Sequence, residues 1–203
     1  MRIKKTFAAI LIAGSFLLPT NALAQFNWPY KIVNGKAVTE VPTRPAGEQS
    51  VLNLATPKMK VVRVAFVGLG MRGPSAVERW THIPGIQVMA LCDFEKDRAE
   101  RCQQYLRKAS MPAADIYSGE DGYKELCKRK DIDLVYIAPD WKHHFLVAKE
   151  AMTHGKHVAI EVPAAMNMSE IWQLIELSEK NRLHCMMLEN CCYDFFELNS
   201  LNM

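Results

Sequence analysis

The stretch from Val61 to Gly73 constrains the chain most, because an apolar, β-branched run leads directly into Gly-x-Gly-x-x-Gly. Pro74 follows at a position that suits the first turn of a helix, where its missing N–H has no partner to lose. Asp93 ends a second apolar run, 20 positions after Gly73. A strand, a glycine turn, a helix and an acid at this distance predict a dinucleotide-binding unit, and an ordinary glycine-rich turn is the alternative.

Each glycine of the motif has a separate expected task. Gly68 permits the tight turn out of the strand, Gly70 lets a pyrophosphate approach the backbone, and Gly73 lets the helix pack closely on the sheet. The N–H groups of the first helical turn would face the phosphates. A carboxylate at Asp93 would accept hydrogen bonds from the adenosine ribose and repel a 2′-phosphate. The sequence therefore favours NAD over NADP as the cofactor.

Residues 1–24 have the features of a secretory signal peptide. A basic start is followed by an apolar run from Phe7 to Leu18, by Pro19, and by the small-residue site Ala22-Leu23-Ala24. The apolar run is shorter than the roughly 20 residues that span a bilayer. We therefore expect export by the general secretory route to a bacterial periplasm, without stable membrane insertion once the signal is removed. A signal that stays in place as an anchor is the alternative.

The charge balance gives little support for nucleic-acid binding. The formal net charge is +3, but the first 24 residues carry three basic residues and no acid, which leaves 22 basic against 22 acidic residues. No basic block with interleaved aromatic residues follows. We expect no nucleic-acid partner.

Six cysteines in an exported chain raise the question of disulfides. Most of them lie in apolar strand or helix patterns, where cysteine behaves as a small buried hydrophobe. The adjacent pair Cys191-Cys192 lacks the Cys-x-x-Cys spacing of a zinc site. We therefore expect neither disulfides nor a bound metal from Cys92, Cys102, Cys127, Cys185, Cys191 and Cys192.

The chain divides into four expected segments, of which the signal is the first. Residues 25–59 form an extension rich in Pro, Gly, Thr and Asn, without helical or strand periodicity. We interpret it as a flexible arm, and the alternative is an arm that Trp28 and Tyr30 pin to a neighbouring surface. Residues 60–192 form the dinucleotide-binding domain, and residues 193–203 begin a further domain.

Strands and helices alternate over short connections from Val61 onward, which predicts an α/β fold with a doubly wound parallel sheet, the Rossmann arrangement. Ligands of such sheets bind beyond the carboxyl ends of the strands. The predicted strands are Val61–Val67, Ile86–Cys92, Ile116–Tyr117, Leu134–Ala138, His157–Ile160 and His184–Leu188. The predicted helices are Pro74–Thr81, Glu95–Lys108, Asp121–Arg129, His143–Met152 and a helix capped by Ser169 that ends near Asn181.

The loop after the fourth predicted strand, Pro139 to His144, carries side chains suited to a cofactor. Trp141 can lie against a ring, and His143 or His144 can bind ribose or phosphate oxygens. The alternative is a helix start with solvated charges.

The loops after the fifth and sixth predicted strands carry further candidates. Glu161 can bind the nicotinamide ribose or remain a solvated acid at a strand end. Pro163 restricts Val162 to an extended conformation and is a candidate for a cis peptide bond. Tyr193 can serve as an acid or base or pack as an ordinary helical residue.

A resemblance to a known family rests on the stretches Arg63–Pro74, Ala90–Asp93, Asp133–Ala138, Gly155–Met166 and His184–Glu197. Together they resemble the glucose–fructose oxidoreductase, inositol dehydrogenase and rhizopine-catabolism superfamily (Gfo/Idh/MocA). Within it they look most similar to the NAD-dependent glycoside hydrolases of family 109. The likeness covers roughly Arg44 to Met203, and its last two stretches distinguish family 109 from its dehydrogenase relatives.

The resemblance implies an α-N-acetylgalactosaminidase that acts on terminal α-linked N-acetylgalactosamine glycans. Enzyme-held NAD would oxidise the sugar at carbon 3, the aglycone would leave by elimination, water would add, and the hydride would return with retention of configuration. The superfamily usually has a lysine for hydride-transfer chemistry where Val162 stands, and family 109 has Glu-Val-Pro-Ala-Ala-Met. By likeness, Tyr193 is a candidate base, and the NAD contacts are Met71, Arg72, Asp93, Trp141, Lys142, His143, His144, Glu161, Val162 and Asn190.

The resemblance also implies a second domain, built on an open antiparallel sheet, that follows this region and carries most sugar contacts. We therefore expect this chain to bind NAD without hydrolysing glycosides. Apolar side chains near its end lack a following element to bury them, namely Phe195, Phe196, Leu198 and Leu201. A nicotinamide-dependent sugar oxidoreductase and a non-catalytic dinucleotide-binding module stay open as alternatives, and so does a homo-oligomer.

Overall fold

The computed structural model describes residues 30–200. The predicted signal peptide, Trp28 and Leu201 fall outside this range, and the side chain of Tyr193 also lies outside the described part.

Eight strands are described, β1 Tyr30–Val33, β2 Lys36–Thr39, β3 Val62–Val67, β4 Ile86–Asp93, β5 Asp115–Ser118, β6 Leu134–Ile137, β7 His157–Glu161 and β8 Cys185–Leu188. Six helices accompany them, α1 Gly73–Trp80, α2 Lys96–Lys108, α3 Gly122–Cys127, α4 Trp141–Thr153, α5 Met168–Asn181 and α6 Phe195–Ser200. A 3₁₀ turn, Asn190–Tyr193, separates β8 from α6. Every strand predicted after Val61 agrees with an observed strand within one residue at each end.

The main sheet has the order β5-β4-β3-β6-β7-β8, and all its neighbouring strands are parallel. Strand β3 lies in the middle, paired with β4 on one side and β6 on the other. The chain therefore leaves β3 and β6 in opposite directions across the sheet, which opens a crevice at their carboxyl ends. This order confirms the predicted doubly wound α/β fold.

Two apolar layers cover the sheet, because successive residues of a strand point to opposite faces. Val64 and Phe66 of β3 belong to the layer under α1 and α2, and Ala65 and Val67 belong to the layer under α3, α4 and α5. Full burial of a large apolar side chain stabilises the fold by about 2 kcal/mol. The first layer includes Val77, Leu91, Leu106 and Tyr136, and the second includes Leu126, Ile137, Met152 and Ile160.

The extension contains an antiparallel hairpin, β1 paired with β2, where we expected no strand. Asn34 and Gly35 form its turn with φ values of 52° and 76°. Two positive φ values are what the tight turn between right-handed twisted strands requires, and Asn-Gly is the sequence that favours it. The expectation of no strand was wrong because the flanking runs are short, while the Asn-Gly pair between alternating apolar residues was the available signal.

The segment after the hairpin is attached to α5 by two arginines. Nε and Nη2 of Arg44 donate to the carboxylate of Glu179 at 2.7 and 2.8 Å. Nη1 of Arg182 donates to the carbonyls of Gln49 and Ser50 at 2.8 and 3.0 Å. Residues 44–50 are therefore docked on the domain, and the interpretation of the whole extension as a flexible arm needs this correction.

Two helix starts differ from the predictions. Helix α4 begins at Trp141, two residues before the predicted start, because the side chain of Asp140 caps it. Helix α5 is capped by the side chain of Asn167, which accepts from the N–H of Glu170 at 3.0 Å, and not by Ser169. Both caps satisfy a first-turn N–H group that has no partner within its helix.

The six cysteines are free thiols, and Cys92, Cys102 and Cys127 are buried. In the described range, no helix is long and apolar enough to cross a membrane.

Candidate functional site

A cavity of about 980 Å³ opens at the carboxyl ends of the central strands. The glycine turn after β3, the ends of β4, β6 and β7, the start of α4 and the segment after β8 all contribute to its wall. Its size falls in the range of pockets that bury a small ligand or cofactor. Among the lining residues are Gly68, Gly70, Met71, Arg72, Asp93, Phe94, Arg98, Glu120, Tyr123, Asp140, Trp141, His143, His144, Glu161, Val162, Glu189 and Asn190.

The floor of the cavity depends on two glycines that leave no room for a side chain. Gly68 has a φ of 91°, and a Cβ there would lie 2.1 Å from the backbone nitrogen of Pro139. A Cβ on Gly73 would lie 2.0 Å from the carbonyl oxygen of Gly68. The turn, the end of β6 and the start of α1 therefore pack backbone against backbone.

Helix α1 points its amino end at this turn. Arg72 occupies the cap position without a side-chain hydrogen bond to the helix, and Pro74 stands in the first turn. First-turn N–H groups without a capping side chain, together with the positive end of the helix dipole, suit phosphate oxygens. Met71, on the turn itself, is 93% exposed.

Asp93 is buried at the end of β4 and is held by the backbone. Its Oδ2 accepts from the N–H of Leu69 at 2.6 Å, and its Oδ1 accepts from the N–H of Glu95 at 3.0 Å. Nη1 of Arg98 lies 3.4 Å from the same Oδ1. The predicted ribose ligand is therefore also the residue that ties the glycine turn to β4.

The start of α4 forms one wall around Asp140. Its carboxylate accepts from the N–H of Lys142 at 3.1 Å and contacts Nδ1 of His143 at 2.5 Å. Burial opposes the ionisation of Asp140, but the hydrogen bond and charge of His143, together with the N–H of Lys142, outweigh it and lower the pKa of this carboxyl. His143 lines the cavity, whereas Lys142 is exposed and does not.

His144 lies behind this wall and is 2% exposed. Its Nδ1 lies 2.7 Å from the carbonyl oxygen of Pro163. A carbonyl only accepts, so Nδ1 carries the proton in this contact. The Val162–Pro163 peptide bond is cis, as the sequence suggested, and Val162 faces the cavity.

Glu161 ends β7 and meets a buried tyrosine. The hydroxyl of Tyr136 donates to Oε1 of Glu161 at 2.5 Å. Burial, followed by the charge and hydrogen bond of Glu161, raises the pKa of Tyr136. Tyr136 therefore stays protonated and fixes one carboxylate oxygen of Glu161.

The segment after β8 brings Asn190 to the cavity. The side chain of Glu189 accepts from the N–H of Cys191 at 3.0 Å and so caps the 3₁₀ turn. The backbone of Tyr193 ends this turn, and its predicted role as a base rests on a side chain outside the described part.

The structure thus gathers most of the predicted cofactor residues around one cavity. Gly73 and Lys142 are not among the lining residues. Sequence reasoning missed Phe94 and Arg98, which follow β4, and Glu120 and Tyr123, which follow β5. The rule that ligands bind beyond carboxyl strand ends pointed to the loop after β5 as well. In residues 30–200, no group of three or more His, Cys, Asp or Glu side chains is arranged to hold a metal ion.

Residues 62–189 match the model of an oxidoreductase family with an NAD-binding Rossmann fold. The chain is 61% identical to glycosyl hydrolase family 109 protein 5 of Phocaeicola vulgatus, over 100% of this chain and 40% of that protein. It is 65% identical to family 109 protein 1 of Bacteroides fragilis, over 81% of this chain and 36% of the relative. The chain therefore spans well under half the length of these relatives.

Solved structures share the fold. A 3-ketoreductase from Actinomadura kijaniata in complex with NADP has a TM-score of 0.59 and 22% identity, over 70% of this chain and 43% of that one. The myo-inositol dehydrogenase from Lactobacillus casei, in complex with NAD(H) and myo-inositol, has a TM-score of 0.59 and 21% identity, over 69% and 42%. At such identity the likeness concerns the fold alone.

Proposed function

The chain belongs to the Gfo/Idh/MocA oxidoreductase family with an NAD-binding Rossmann fold, and from this premise we propose that it is the cofactor-binding part of an NAD-dependent retaining glycosidase. The observation that carries the proposal is the cavity wall formed by Gly70, Asp93 and Glu161, with an apolar Val162 beside the carboxylate. High identity to proteins named glycosyl hydrolase family 109 supports the hydrolase branch of the family.

The residues present fit a nicotinamide dinucleotide. Gly68 and Gly73 allow close backbone packing, while a Cβ on Gly70 would meet no atom closer than 3.6 Å outside its two chain neighbours. Gly70 is therefore open toward the cavity, as close approach of a pyrophosphate requires. Asp93 would hold the adenosine ribose, and Glu161 the nicotinamide ribose.

When bound, the nicotinamide ring would accept a hydride from sugar carbon 3 and later return it. The protein's own part is to bind and orient. Tyr136 holds one oxygen of Glu161, and Asp140 orients His143. Trp141, which is 60% exposed, also lines the cavity. Val162 stands where the dehydrogenases of the superfamily usually have a lysine. The absence of that ammonium group argues against an ordinary dehydrogenase and agrees with an enzyme that recycles its cofactor.

The substrate class and location are part of the same proposal. The family resemblance supports terminal α-linked N-acetylgalactosamine glycans as the proposed substrates. The signal-like first 24 residues support a bacterial periplasm as the proposed location. Cell fractionation, with N-terminal sequencing of the exported form, tests the location: an uncleaved cytoplasmic protein contradicts it.

The activity is tested with a nitrophenyl α-N-acetylgalactosaminide. We would assay the chain alone and the chain joined at Met203 to the downstream residues of the P. vulgatus relative. The expected result is NAD binding by both and nitrophenol release by the longer protein alone. Free NADH accumulating with a sugar would favour the sugar oxidoreductase, and NAD binding without turnover in the longer protein would favour the non-catalytic module.

A further inference from the structure

Arg98, the third residue of α2, lies on the cavity wall beside the acid expected to hold the adenosine ribose. We propose that Arg98 contacts the adenosine end of the dinucleotide and sets how strongly the site separates NAD from NADP. The inference rests on the proposed function, because it assumes that a nicotinamide dinucleotide binds in this cavity.

The guanidinium of Arg98 has hydrogen-bonding capacity to spare. Its side chain is 45% exposed, and its contact with Oδ1 of Asp93 is long at 3.4 Å. Among the described residues, Asp93 is its one side-chain partner. A guanidinium carries five N–H donors in a planar fork, so most of them remain for an acceptor in the cavity.

Arg98 lies next to Gly70, the residue at which the pyrophosphate of a bound dinucleotide would approach the backbone. Apart from the neighbouring residues Leu69 and Met71, a Cβ built on Gly70 would have Nη1 of Arg98 at 3.6 Å and no other heavy atom within 4 Å. The open side of Gly70, along which a pyrophosphate would approach, therefore leads to Arg98. Phosphate or ribose oxygens bound there come within reach of this guanidinium, which is suited to bidentate recognition of phosphate.

Asp93 alone would exclude NADP, but its surroundings weaken that effect. Both of its carboxylate oxygens already accept backbone N–H groups, from Leu69 and from Glu95. The positive charge of Arg98 offsets part of the repulsion between Asp93 and a 2′-phosphate, and its free donors can bind that phosphate. NADP should therefore bind more weakly than NAD, yet by a smaller margin than a lone carboxylate predicts.

The test compares the Kd of NADH and NADPH by nicotinamide fluorescence in the purified chain and its Arg98→Ala variant. We expect the substitution to weaken NADPH binding about tenfold or more and NADH binding about threefold at most, in line with the loss of a charge-assisted hydrogen bond. Arg101→Ala is the matched control, since Arg101 lies on the same helix and pairs with Asp97. That variant should leave both Kd values unchanged, and Arg98→Lys should restore part of the NADPH binding.

Circular dichroism melting shows whether the Arg98→Ala chain is folded at the assay temperature; if it is not, Arg98→Lys and Arg98→Gln are compared instead. An equal loss for both cofactors, or no loss for either, overturns the role of Arg98 while leaving the proposed function in place. Failure of the folded parent chain to bind either dinucleotide overturns the proposed function together with this inference.

Discussion

The hydroxyl of Tyr136, a residue 1% exposed in the core, donates to the carboxylate of Glu161, which stands on the cavity wall. The contact joins the apolar layer around Phe66 and Trp80 to the site, since both rings pack on the tyrosine at 5.2 and 5.6 Å between centroids. One carboxylate oxygen of the half-buried Glu161 is therefore oriented by a residue of the core.

Tyr136→Phe should weaken NADH binding with little effect on folding. The substitution keeps the aromatic ring but removes the hydroxyl and its hydrogen bond to Glu161. Because Glu161 is half-buried, its carboxylate can bind water instead. We expect Kd to rise about fivefold, less than a full charged hydrogen bond is worth. Glu161→Gln alone and combined with Tyr136→Phe completes a double-mutant cycle, and strictly additive effects would show that Tyr136 does not act through Glu161.

Alanine at two of the motif glycines, Gly73 and Gly70, should separate the effect on folding from the effect on cofactor binding. Gly73→Ala places a Cβ against the Gly68 carbonyl and should destabilise the fold by about 2 kcal/mol or more. Gly70→Ala meets only the movable Arg98 side chain, so it should fold normally and lose NADH binding at least about tenfold. Urea unfolding and fluorescence titration measure the two effects. Normal NADH binding by folded Gly70→Ala would contradict the pyrophosphate site.

His157, at the start of β7, and His184, just before β8, should make the stability of the fold depend on pH. The N–H of His184 donates to Nδ1 of His157 at 2.9 Å, so that nitrogen must be unprotonated. Burial, then the nearby His184, lowers the pKa of His157 in the folded chain. The unfolded chain, with a His pKa of about 6.5, thus binds the proton more readily. The stability contributed by neutral His157 should be fully present above a pH of about 6.5, and it should be lost as the pH falls from there through the lower pKa of the folded chain.

His157→Gln removes this titration, and the exposed His82→Gln is its control. Thermal melts between pH 8 and about 5 should show a smaller loss of Tm on acidification for His157→Gln than for the parent or the control. Equal losses in all three proteins would refute the role of His157.

Thiol labelling should distinguish two exposed cysteines from three buried ones, with the partly buried Cys185 between them. Burial raises the pKa of Cys92 and Cys127 to about 12, and that of Cys102 and Cys185 to about 11. Cys191 and Cys192 are exposed. Ellman's reagent at neutral pH should therefore modify these two quickly, Cys185 more slowly, and the three buried thiols only in urea.

Within that exposed pair, Cys191 should react more slowly, because hydrogen bonding to Glu189, and its charge, raise the pKa of this thiol. Glu189→Gln should speed its labelling without changing that of Cys92. Peptide mapping assigns each modified thiol, and rapid labelling of Cys92 in the folded chain would argue against the observed packing.

Sequence periodicity located the sheet well and the details of the site less well. The strands were predictable because β-branched runs such as Val62–Val67 are bounded by glycine or polar residues. Neither Arg98 nor Tyr136 stands out in the sequence, since their roles depend on strand order. The pairing of β3 with β4 brings the glycine turn next to Asp93 and Arg98. The pairing of β6 with β7 brings Tyr136 next to Glu161. The Asn34-Gly35 turn and the Asp140 cap do carry short-range signals, since Asn-Gly favours a tight hairpin turn and aspartate is a preferred helix cap.

Backbone hydrogen bonds continue past the carboxyl ends of the central strands, next to the cavity. The N–H of Gly68 donates to the carbonyl of Cys92 at 2.9 Å, and the N–H of Ala138 donates to the carbonyl of Val67 at 2.8 Å. Such a floor is preorganised, because its conformational entropy is lost during folding and not during binding. The entropic cost of association then falls mainly on the dinucleotide, a long ligand with many rotatable bonds. Affinity gained by stiffening the ligand would exceed any gained by stiffening this part of the protein.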